Sequence, residues 1–385
     1  MKAMINLNDI RLSSEALPSK QDEKWRYSDL SLLNIAVKKS FSPISNVPSY
    51  LEDNSFYYLV IIDGKYHKKE SILPPQEHIT ILSKDIDELQ YKSSFLLKSQ
   101  VSQNLRNNHC IVDINIIKNI DKPLKVMKFI TSNSNFFMTD IKIDKNCELQ
   151  LFETIIQKDD EWCMVNDVVR IRLDKNSKCQ HFFQSDIKNI VKSMYSLEVN
   201  CNMHSSYKNY NVQTKYKSYR FEADVHLNDK YSLAGFYGVC MAERNQFFDY
   251  VVDIKHHASD TYSNQHYNQF LNNYSSGSFY SNVVIPKHLN NVEAHQMNKN
   301  VIVDKYSKAY SRPILRIDSE DVKCSHGATI SNISQNALDY CSLRGIKYSK
   351  AKKLFVISLL KSIFTKCNLK TSEVKFLYAQ IDNTI

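Results

Sequence analysis

The hexapeptide IKIDKN at residues 141–146 is followed 30 residues later by a near copy, IRLDKN at residues 171–176. Related phrases recur at 225–230 (VHLNDK) and 301–306 (VIVDKY). Apolar and polar residues alternate in each phrase as they do in a β-strand, and an Asp/Asn-Lys corner leads into a second short apolar run. This spacing is typical of a repetitive coil and favours stacked β coils. A β-sandwich also has closely spaced strands, so periodicity alone leaves it as an alternative.

Length and periodicity divide the chain of 385 residues into three regions. Residues 1–108 read as a helical and α/β lead-in, with an amphipathic helical start, a hairpin turn at Asp63-Gly64-Lys65 and a helix near 84–105. Residues 109–330 read as the β core. Residues 331–385 read as three helices. Ser334 is expected to cap the first, which ends before Gly345, Ser349 is expected to cap the second, and the third covers about 372–382.

Composition excludes several classes of protein. The net charge of +9 comes from scattered lysines and arginines without an arginine-rich tract, which argues against specific nucleic-acid binding. No window approaches 18 consecutive apolar residues, so no membrane span is expected. The first 25 residues carry several acidic side chains and no apolar run, which predicts no signal peptide. Nine cysteines without a two-residue gap between any pair indicate a reducing, cytoplasmic setting.

One segment, DVKCSHGAT at residues 321–329, concentrates reactive side chains. On a strand, Cys324 and His326 would point to the same face, because side chains alternate with period two. A thiol and an imidazole on one face can hold a proton relay, a soft metal or a sulfur species. The structural interpretation is that Cys324 is a small hydrophobe and His326 a hydrogen-bonded core residue.

This segment resembles the C-terminal signature of the SufD branch of the SufB/SufD family, which belongs to the SUF machinery for iron–sulfur cluster assembly. Further matching segments are HQMNKN at 295–300, LDY at 338–340, RGI at 344–346 and, near the N-terminus, EKWRY at 23–27. The aromatic rings of this last segment are expected to dock on the body of the protein. Two residues depart from the family pattern: Ser281 stands where a glycine is expected, and Ser319 interrupts an acidic run.

The resemblance implies a right-handed parallel β-helix with flanking helical regions. It implies a non-enzymatic scaffold that pairs with a SufB-type paralogue and docks a SufC-type ABC ATPase through its C-terminal helices, or forms a homodimer when alone. Cys324 and His326 would lie at the paired interface, where a transient iron–sulfur cluster shared with the paralogue forms, with this chain as a source of iron or cluster ligands. A reduced flavin (FADH2) is implied for the complex, without a motif for its site. The residues expected at the ATPase interface are Leu338, Tyr340, Arg344, Leu354, Phe355 and Leu359.

Two other interpretations remain at this point. A stand-alone β-helix enzyme would need convergent carboxylates or a Cys–His nucleophile, and Cys324 and His326 on one strand lie parallel rather than in attack geometry. A SufB-type paralogue would need a reactive cysteine upstream of the signature, and the chain has no cysteine between Cys240 and Cys324. The scaffold interpretation is therefore preferred.

Overall fold

A computed structural model describes residues 18–33, 51, 53–85, 110–157, 160–188, 190–365, 367 and 369–382. The amphipathic segment before Pro18 lies outside these residues. So does most of the helix expected near 84–105, although Lys84 and Asp85 are described and end a strand.

The described core consists of strands: β1 Tyr57–Ile62, β2 Lys65–Tyr66, β3 Ile79–Asp85, β4 Cys110–Ile116, β5 Leu124–Phe129, β6 Ser134–Ile143, β7 Glu148–Ile156, β8 Met164–Leu173, β9 Lys178–Asp186, β10 Val191–Cys201, β11 Ser206–Gln213, β12 Tyr216–Leu227, β13 Leu233–Ala242, β14 Phe247–His256, β15 Tyr262–Leu271, β16 Ser276–Ile285, β17 Val292–Ile302, β18 Lys308–Ile317 and β19 Val322–Asn332. Three α-helices follow: α1 Gln335–Leu343, α2 Tyr348–Lys361 and α3 Thr371–Asp382.

The strands form a parallel β-solenoid, which confirms the predicted fold class. Sheet A has the strand order β19-β17-β15-β13-β11-β9-β7-β5-β1-β2. Sheet B has the order β18-β16-β14-β12-β10-β8-β6-β4-β3. From β4 onward, successive strands of the chain alternate between the sheets, so one coil contributes one strand to each. The repeated hexapeptides align in this register, with Ile141 paired to Ile171.

The corners between strands explain how a chain with six glycines can turn so often. Asn146 (φ 62°) and Asn176 (φ 60°) adopt the left-handed conformation, as predicted for these corners. In the third phrase the left-handed residue is Tyr231 (φ 63°), one position beyond the predicted corner. In the fourth, the Asp304 carboxylate accepts hydrogen bonds from the backbone of Tyr306 and Ser307. Asn and Asp residues therefore stabilise many of these corners, a role that glycine has in many other turns.

The N-terminal end of the solenoid is closed by antiparallel strands. β2 pairs with β1 through the predicted hairpin turn, in which Asp63 (φ 50°) and Gly64 (φ 74°) are both left-handed. β3 pairs antiparallel with β4 along seven residues. These strands precede residue 109, so the lead-in region contributes directly to both sheets.

The C-terminal helices fold back onto the outer face of sheet A. α1 begins as predicted, because the Ser334 hydroxyl accepts a hydrogen bond from the Ala337 amide, and Gly345 (φ 79°) follows its end. α2 begins at Tyr348, so its N-cap is Lys347 and the expected cap at Ser349 is wrong. Buried residues of α2, of α3 and of the turn between them pack on a ladder of rings from sheet A: Val356, Phe364 and Leu377 against Phe152, Phe182 and Tyr210. No helix in the described ranges is long and apolar enough to cross a bilayer.

Residues 18–33, called the N-terminal strap from here on, lie across the outer face of sheet B. Trp25 is 5% exposed, and the Arg220 guanidinium lies 3.8 Å from its ring centroid. Tyr27 stacks on Tyr310 of β18 with 4.1 Å between ring centroids. Glu23 pairs with Arg312 of the same strand. The aromatic residues of this segment therefore dock on the body, as predicted.

Candidate functional site

Cys324 and His326 lie on β19, which forms the C-terminal edge of sheet A and pairs only with β17 among the described strands. The register places Cys324 beside Ala294 and His326 beside Gln296, two buried residues that face the interior of the solenoid. Ser325, between them, points outward and accepts or donates a hydrogen bond with His295 Nδ1 at 2.8 Å. Cys324 and His326 therefore share one face, as alternation predicts, at the open end of the core.

Exposure differs between these two residues. Cys324 is half-buried and packs against the apolar interior, whereas His326 is exposed. Burial raises the pKa of the Cys324 thiol, and a backbone hydrogen bond with Ala294 lowers it by a smaller amount. The thiol is therefore protonated at neutral pH, and it becomes a ligand only when a metal or a base removes its proton. No group of three or more His, Cys, Asp or Glu side chains in the described residues is arranged to hold a metal ion.

Beneath His326 lies a chain of hydrogen bonds that joins the two sheets. Gln296 Nε2 donates to Ser281 Oγ at 2.8 Å, and Ser281 Oγ donates to Gln265 Oε1 at 2.7 Å. All three side chains are at most 2% exposed. Ser281, the first departure from the family pattern, therefore supplies a hydroxyl that a glycine would lack.

The second departure, Ser319, shapes the loop that leads into β19. Its hydroxyl donates to the Pro286 carbonyl at 2.5 Å and accepts from the Leu289 amide at 3.1 Å. Asp321, at the start of the signature, accepts a hydrogen bond from the Asn291 amide at 3.0 Å. Both side chains attach the last corner to the corner one coil earlier, and this attachment fixes where β19 begins.

Gly327 completes the signature by letting Met297 approach from the next strand. A Cβ atom at position 327 would lie 2.8 Å from Met297 Cε, closer than real carbon contacts allow. The glycine therefore permits close packing on the outer side of β19, next to the site.

The other half of the open end is β18, the edge strand of sheet B, which pairs with β16. Its register with buried β16 residues places Ser311, Pro313 and Leu315 toward the interior. Pro313 lacks an amide hydrogen and is tolerated at a sheet edge. β18 and β19 therefore each have one unpaired side among the described strands, and they form the end of the solenoid at which Cys324 and His326 lie.

The residues expected at the ATPase interface are not equally accessible. Tyr340 is 59% exposed, Leu354 49% and Phe355 38%, and the Arg344 guanidinium lies 5.3 Å from the Tyr340 ring centroid. Leu338 is 2% exposed, so it packs within the chain and cannot contact a partner in this conformation. Leu359 belongs to α2, and its side chain lies outside the described residues.

Sequence reasoning did not include Leu343 among the residues at the ATPase interface. This residue ends α1 and is 87% exposed. A cavity of about 180 Å³ lies between the end of β19 and α2, with Ile333, Phe355 and Val356 in its lining. We call Tyr340, Leu343, Leu354 and Phe355 the helical patch. Its exposed apolar area is the kind of surface that protein partners cover.

Two buried charge clusters were also missed by sequence reasoning. Inside the N-terminal part of the solenoid, Lys128 Nζ lies 2.7 Å from both Glu153 Oε1 and Asp167 Oδ1, and His181 Nε2 lies 3.0 Å from Glu153 Oε2. The available signal was a charged residue inside an apolar strand, as in LKVMKF at 124–129.

The second cluster holds the N-terminal strap on sheet B. Arg220 Nη1 donates to Ser28 Oγ at 2.9 Å and to the Lys24 carbonyl at 3.1 Å, and it pairs with Asp249. Arg220 Nη2 donates to Glu222 Oε2 at 3.1 Å. Both clusters consist of fully or largely buried charges that are paired and hydrogen-bonded, as buried charges must be.

The fold and the site together define a β-solenoid protein with one open end that carries a thiol and an imidazole. A family model described as SUF system FeS cluster assembly, SufBD core domain, matches residues 129–358. The chain belongs to this family. The resemblance seen in the sequence is therefore confirmed at the level of the SufB/SufD family and of iron–sulfur cluster assembly.

Two curated relatives are consistent with this assignment. Protein ABCI7, chloroplastic, from Arabidopsis thaliana is 23% identical over an alignment that covers 92% of this chain and 80% of the relative. The iron–sulfur cluster assembly protein SufD from Plasmodium falciparum is 21% identical over 307 residues, which cover 78% of this chain and 20% of the relative. The alignment thus spans only a fifth of the Plasmodium protein.

Proposed function

We propose that this chain is a SufD-type scaffold subunit that contributes Cys324 and His326 to a cluster-assembly site shared with a SufB-type paralogue. One observation carries the proposal: the two side chains share one face of an exposed edge strand at the open end of the solenoid. Iron–sulfur clusters take thiolate ligands, and imidazole is an accepted substitute. Because this chain would supply two ligands, the partner would supply the remaining ligands of the cluster.

The open end also suggests how the paralogue binds. β18 and β19 each have one backbone edge without a strand partner among the described residues, and such edges pair readily with strands of another chain. We propose that the SufB-type partner adds its own solenoid edge here. In the absence of that partner, a second copy of this chain would occupy the same edges, so the isolated protein is expected to form a homodimer.

Assembly of the site is tested by co-expression with a SufB-type paralogue and a SufC-type ATPase, followed by anaerobic reconstitution and a visible spectrum. Cys324→Ala and His326→Ala are expected to leave the complex assembled and to reduce cluster yield severalfold. Ser325→Ala, which changes the outward-facing neighbour, is the matched control and should retain the yield. Wild-type yield in both site variants would remove Cys324 and His326 from the assembly site.

The helical patch is the proposed docking surface for the ATPase. Deletion of residues from 335 onward would also expose the rings of sheet A that α2 and α3 cover, so point variants test the patch more cleanly. Leu343→Asp and Leu354→Asp are expected to abolish co-purification with the ATPase subunit. Tyr274→Asp, on a corner of the solenoid where Tyr274 is 57% exposed, is the control. Retained binding in both patch variants would place the interface elsewhere.

Reduced flavin is the remaining group implied by the family. A cavity of about 450 Å³ between the N-terminal strap and β18 has four aromatic residues in its lining, Tyr27, Phe279, Tyr280 and Tyr310. Tyr27 and Tyr310 stack on each other, so this pair offers no open slot for a flavin ring. We therefore assign no residue of this chain to a flavin. The proposed setting is a reducing one such as the cytoplasm, since all nine cysteines are described and unbridged.

The scaffold function predicts that the purified chain alone has no hydrolase or lyase activity. Any catalysis in the complex would belong to the ATPase partner. Turnover of a polysaccharide or ester substrate by the isolated chain, lost in Cys324→Ala, would instead support the enzyme alternative.

A further inference from the structure

Gln296 is a buried amide directly next to His326 in the strand register, and one of its atoms is unsatisfied. It is 2% exposed and belongs to β17, whose partner at this position of β19 is His326. Gln296 Nε2 donates to Ser281 Oγ at 2.8 Å and to the Ile314 carbonyl at 3.2 Å. Gln296 Oε1 is buried and has no hydrogen-bond partner in the described part of the chain. A buried acceptor in this state has the capacity to accept one further hydrogen bond.

The hydrogen-bond chain fixes which end of the amide is the acceptor. Ser281 Oγ donates its proton to Gln265 Oε1 at 2.7 Å, so it can only accept from Gln296. The Ile314 carbonyl also accepts only. The Gln296 atom that faces the Ile314 carbonyl must therefore be the amide nitrogen, and exchanging nitrogen and oxygen would break that hydrogen bond. Oε1 of Gln296 is thus held as a free acceptor by Ser281 and by the backbone of β18.

His326 is a donor within reach of this register position. In a pair of parallel strands, side chains at partnered positions on the same face are neighbours. The exposed imidazole of His326 on β19 can therefore rotate toward Gln296 on β17. A neutral imidazole has one N–H donor and one nitrogen lone pair, and the group that accepts the N–H decides which nitrogen keeps the lone pair. An acceptor on the inner side therefore directs the lone pair out of the open end.

We propose that Gln296 is a positioning residue for His326: its Oε1 accepts the imidazole N–H and keeps the other ring nitrogen available at the open end. Ser281 is part of the same device, because it orients the Gln296 amide. The use of that nitrogen, as a metal ligand or as a base toward a sulfur donor, rests on the proposed function. The positioning itself is a property of this chain and can be measured without a partner.

The test is nitrogen-detected NMR of histidine side chains in the full-length protein, with His326→Gln to identify the His326 signals. In the wild type, one neutral tautomer of His326 is expected to dominate. Gln296→Met, which keeps the length but removes the acceptor, is expected to reduce the tautomer ratio about 2- to 12-fold, the factor that corresponds to one hydrogen bond of about 0.5–1.5 kcal/mol.

Two further variants distinguish positioning from general disturbance. Gln296→Glu retains an acceptor at this position and should preserve the dominant tautomer. Ser281→Ala should reduce the ratio by a smaller factor, since it frees the Gln296 amide to turn. Gln269→Met is the control. Gln269 is likewise buried with an unpaired Oε1, but the residue paired with it in the register of the neighbouring strand is Asn300 and not a histidine.

An unchanged tautomer ratio in both Gln296→Met and Ser281→Ala would overturn the inference, and an equal change in Gln269→Met would do the same. Cluster yield in the reconstituted complex is measured separately. If Cys324→Ala and His326→Ala leave that yield intact, the proposed function fails, while the tautomer measurement still decides whether Gln296 positions His326. If both hold, Gln296→Met should lower cluster yield in the same direction as His326→Ala and by no larger a factor, because Gln296 acts only through His326.

Discussion

At the N-terminal end of the solenoid, β2 and β3 run antiparallel to their neighbours, whereas at the C-terminal end β18 and β19 continue the parallel sheets and stop. The interior behind the first end holds paired charges that are fully buried, such as Lys128. At the second end lie Cys324, which is half-buried, and His326, which is exposed. Among the described strands, the N-terminal end is therefore covered by strands of the same chain, whereas the C-terminal end presents its edge strands to solvent.

This difference explains why the reactive residues lie where they do. The ten residues of β18 and the eleven of β19 form long edges that another chain can extend in the same register, whereas the two-residue strand β2 offers few backbone groups for such pairing. Charges inside the closed end must find all their partners within the chain. Polar groups at the open end can instead form their hydrogen bonds when another chain binds. The Gln296 Oε1 atom, which has no partner among the described residues, is consistent with this.

The largest difference between the ends should appear when a lysine is removed from each. Lys128→Met leaves the ionised Glu153 carboxylate buried without its cation and is expected to cost about 3–5 kcal/mol. Lys323→Met at the open end breaks only a pair with Glu293 in which the lysine is 76% exposed, and about 0–1 kcal/mol is expected. Equilibrium denaturant unfolding measures both, and equal losses would contradict the contrast.

Glycine substitutions should separate the packed interior from the open end on a smaller scale. A Cβ at Gly238 would overlap the ring of Tyr267, which is fully buried, so Gly238→Ala is expected to cost about 1–3 kcal/mol. Gly327→Ala meets only the flexible end of Met297, and less than about 1 kcal/mol is expected. The same unfolding measurement applies, and a larger loss in Gly327→Ala would show that the signature glycine is part of the rigid core.

The buried carboxyls should give the closed end a pH dependence of stability. Burial raises the pKa of Asp167, the Lys128 charge lowers it by less, and the neighbouring Glu153 charge raises it further, to about 8. In the unfolded chain this carboxyl loses its proton near pH 4. The folded state therefore binds more protons between these values, and stability is lost as pH rises toward 8.

His256 counteracts this trend at lower pH, since burial lowers its pKa from 6.5 to about 4 and makes stability rise with pH over that interval. Between about pH 6.5 and 8 the Asp167 effect should stand out, with a slope of up to about 1.4 kcal/mol per pH unit. Asp167→Asn should flatten this part of the profile in urea unfolding at several pH values. An unchanged slope in the variant would assign it to other groups.

Thiol labelling should distinguish the ends without any change in stability. Cys324 and Cys341 are half-buried, and the other seven cysteines are buried. Burial raises the pKa of both Cys163 and Cys201 to about 12, which also keeps them as unreactive thiols. A thiol reagent under native conditions should modify two cysteines quickly, and one in Cys324→Ser. Binding of the SufB-type partner should then protect Cys324 and leave Cys341 reactive.

Local sequence determined much of the solenoid. The 30-residue recurrence of IKIDKN and IRLDKN predicted stacked coils, and Asn146 and Asn176 predicted the corner conformation, because both depend on neighbours a few residues apart. Ser334 and Gly345 marked the limits of α1 for the same reason. The alternation of Cys324 and His326 on one face was likewise a property of the strand itself.

Only the tertiary structure decided which residues meet across coils and which end stays open. Lys128 reaches Asp167, 39 positions away, and Arg220 reaches Ser28, 192 positions away, because stacked coils and the N-terminal strap bring them together. Leu338 is buried and Leu343 is exposed on the same helix, and no local pattern predicted this, since the side of α1 that packs depends on how the helix lies against its neighbours. Gln296 gained its role in the same way: its register beside His326 and its bond to Ser281 exist only once three separate strands are stacked.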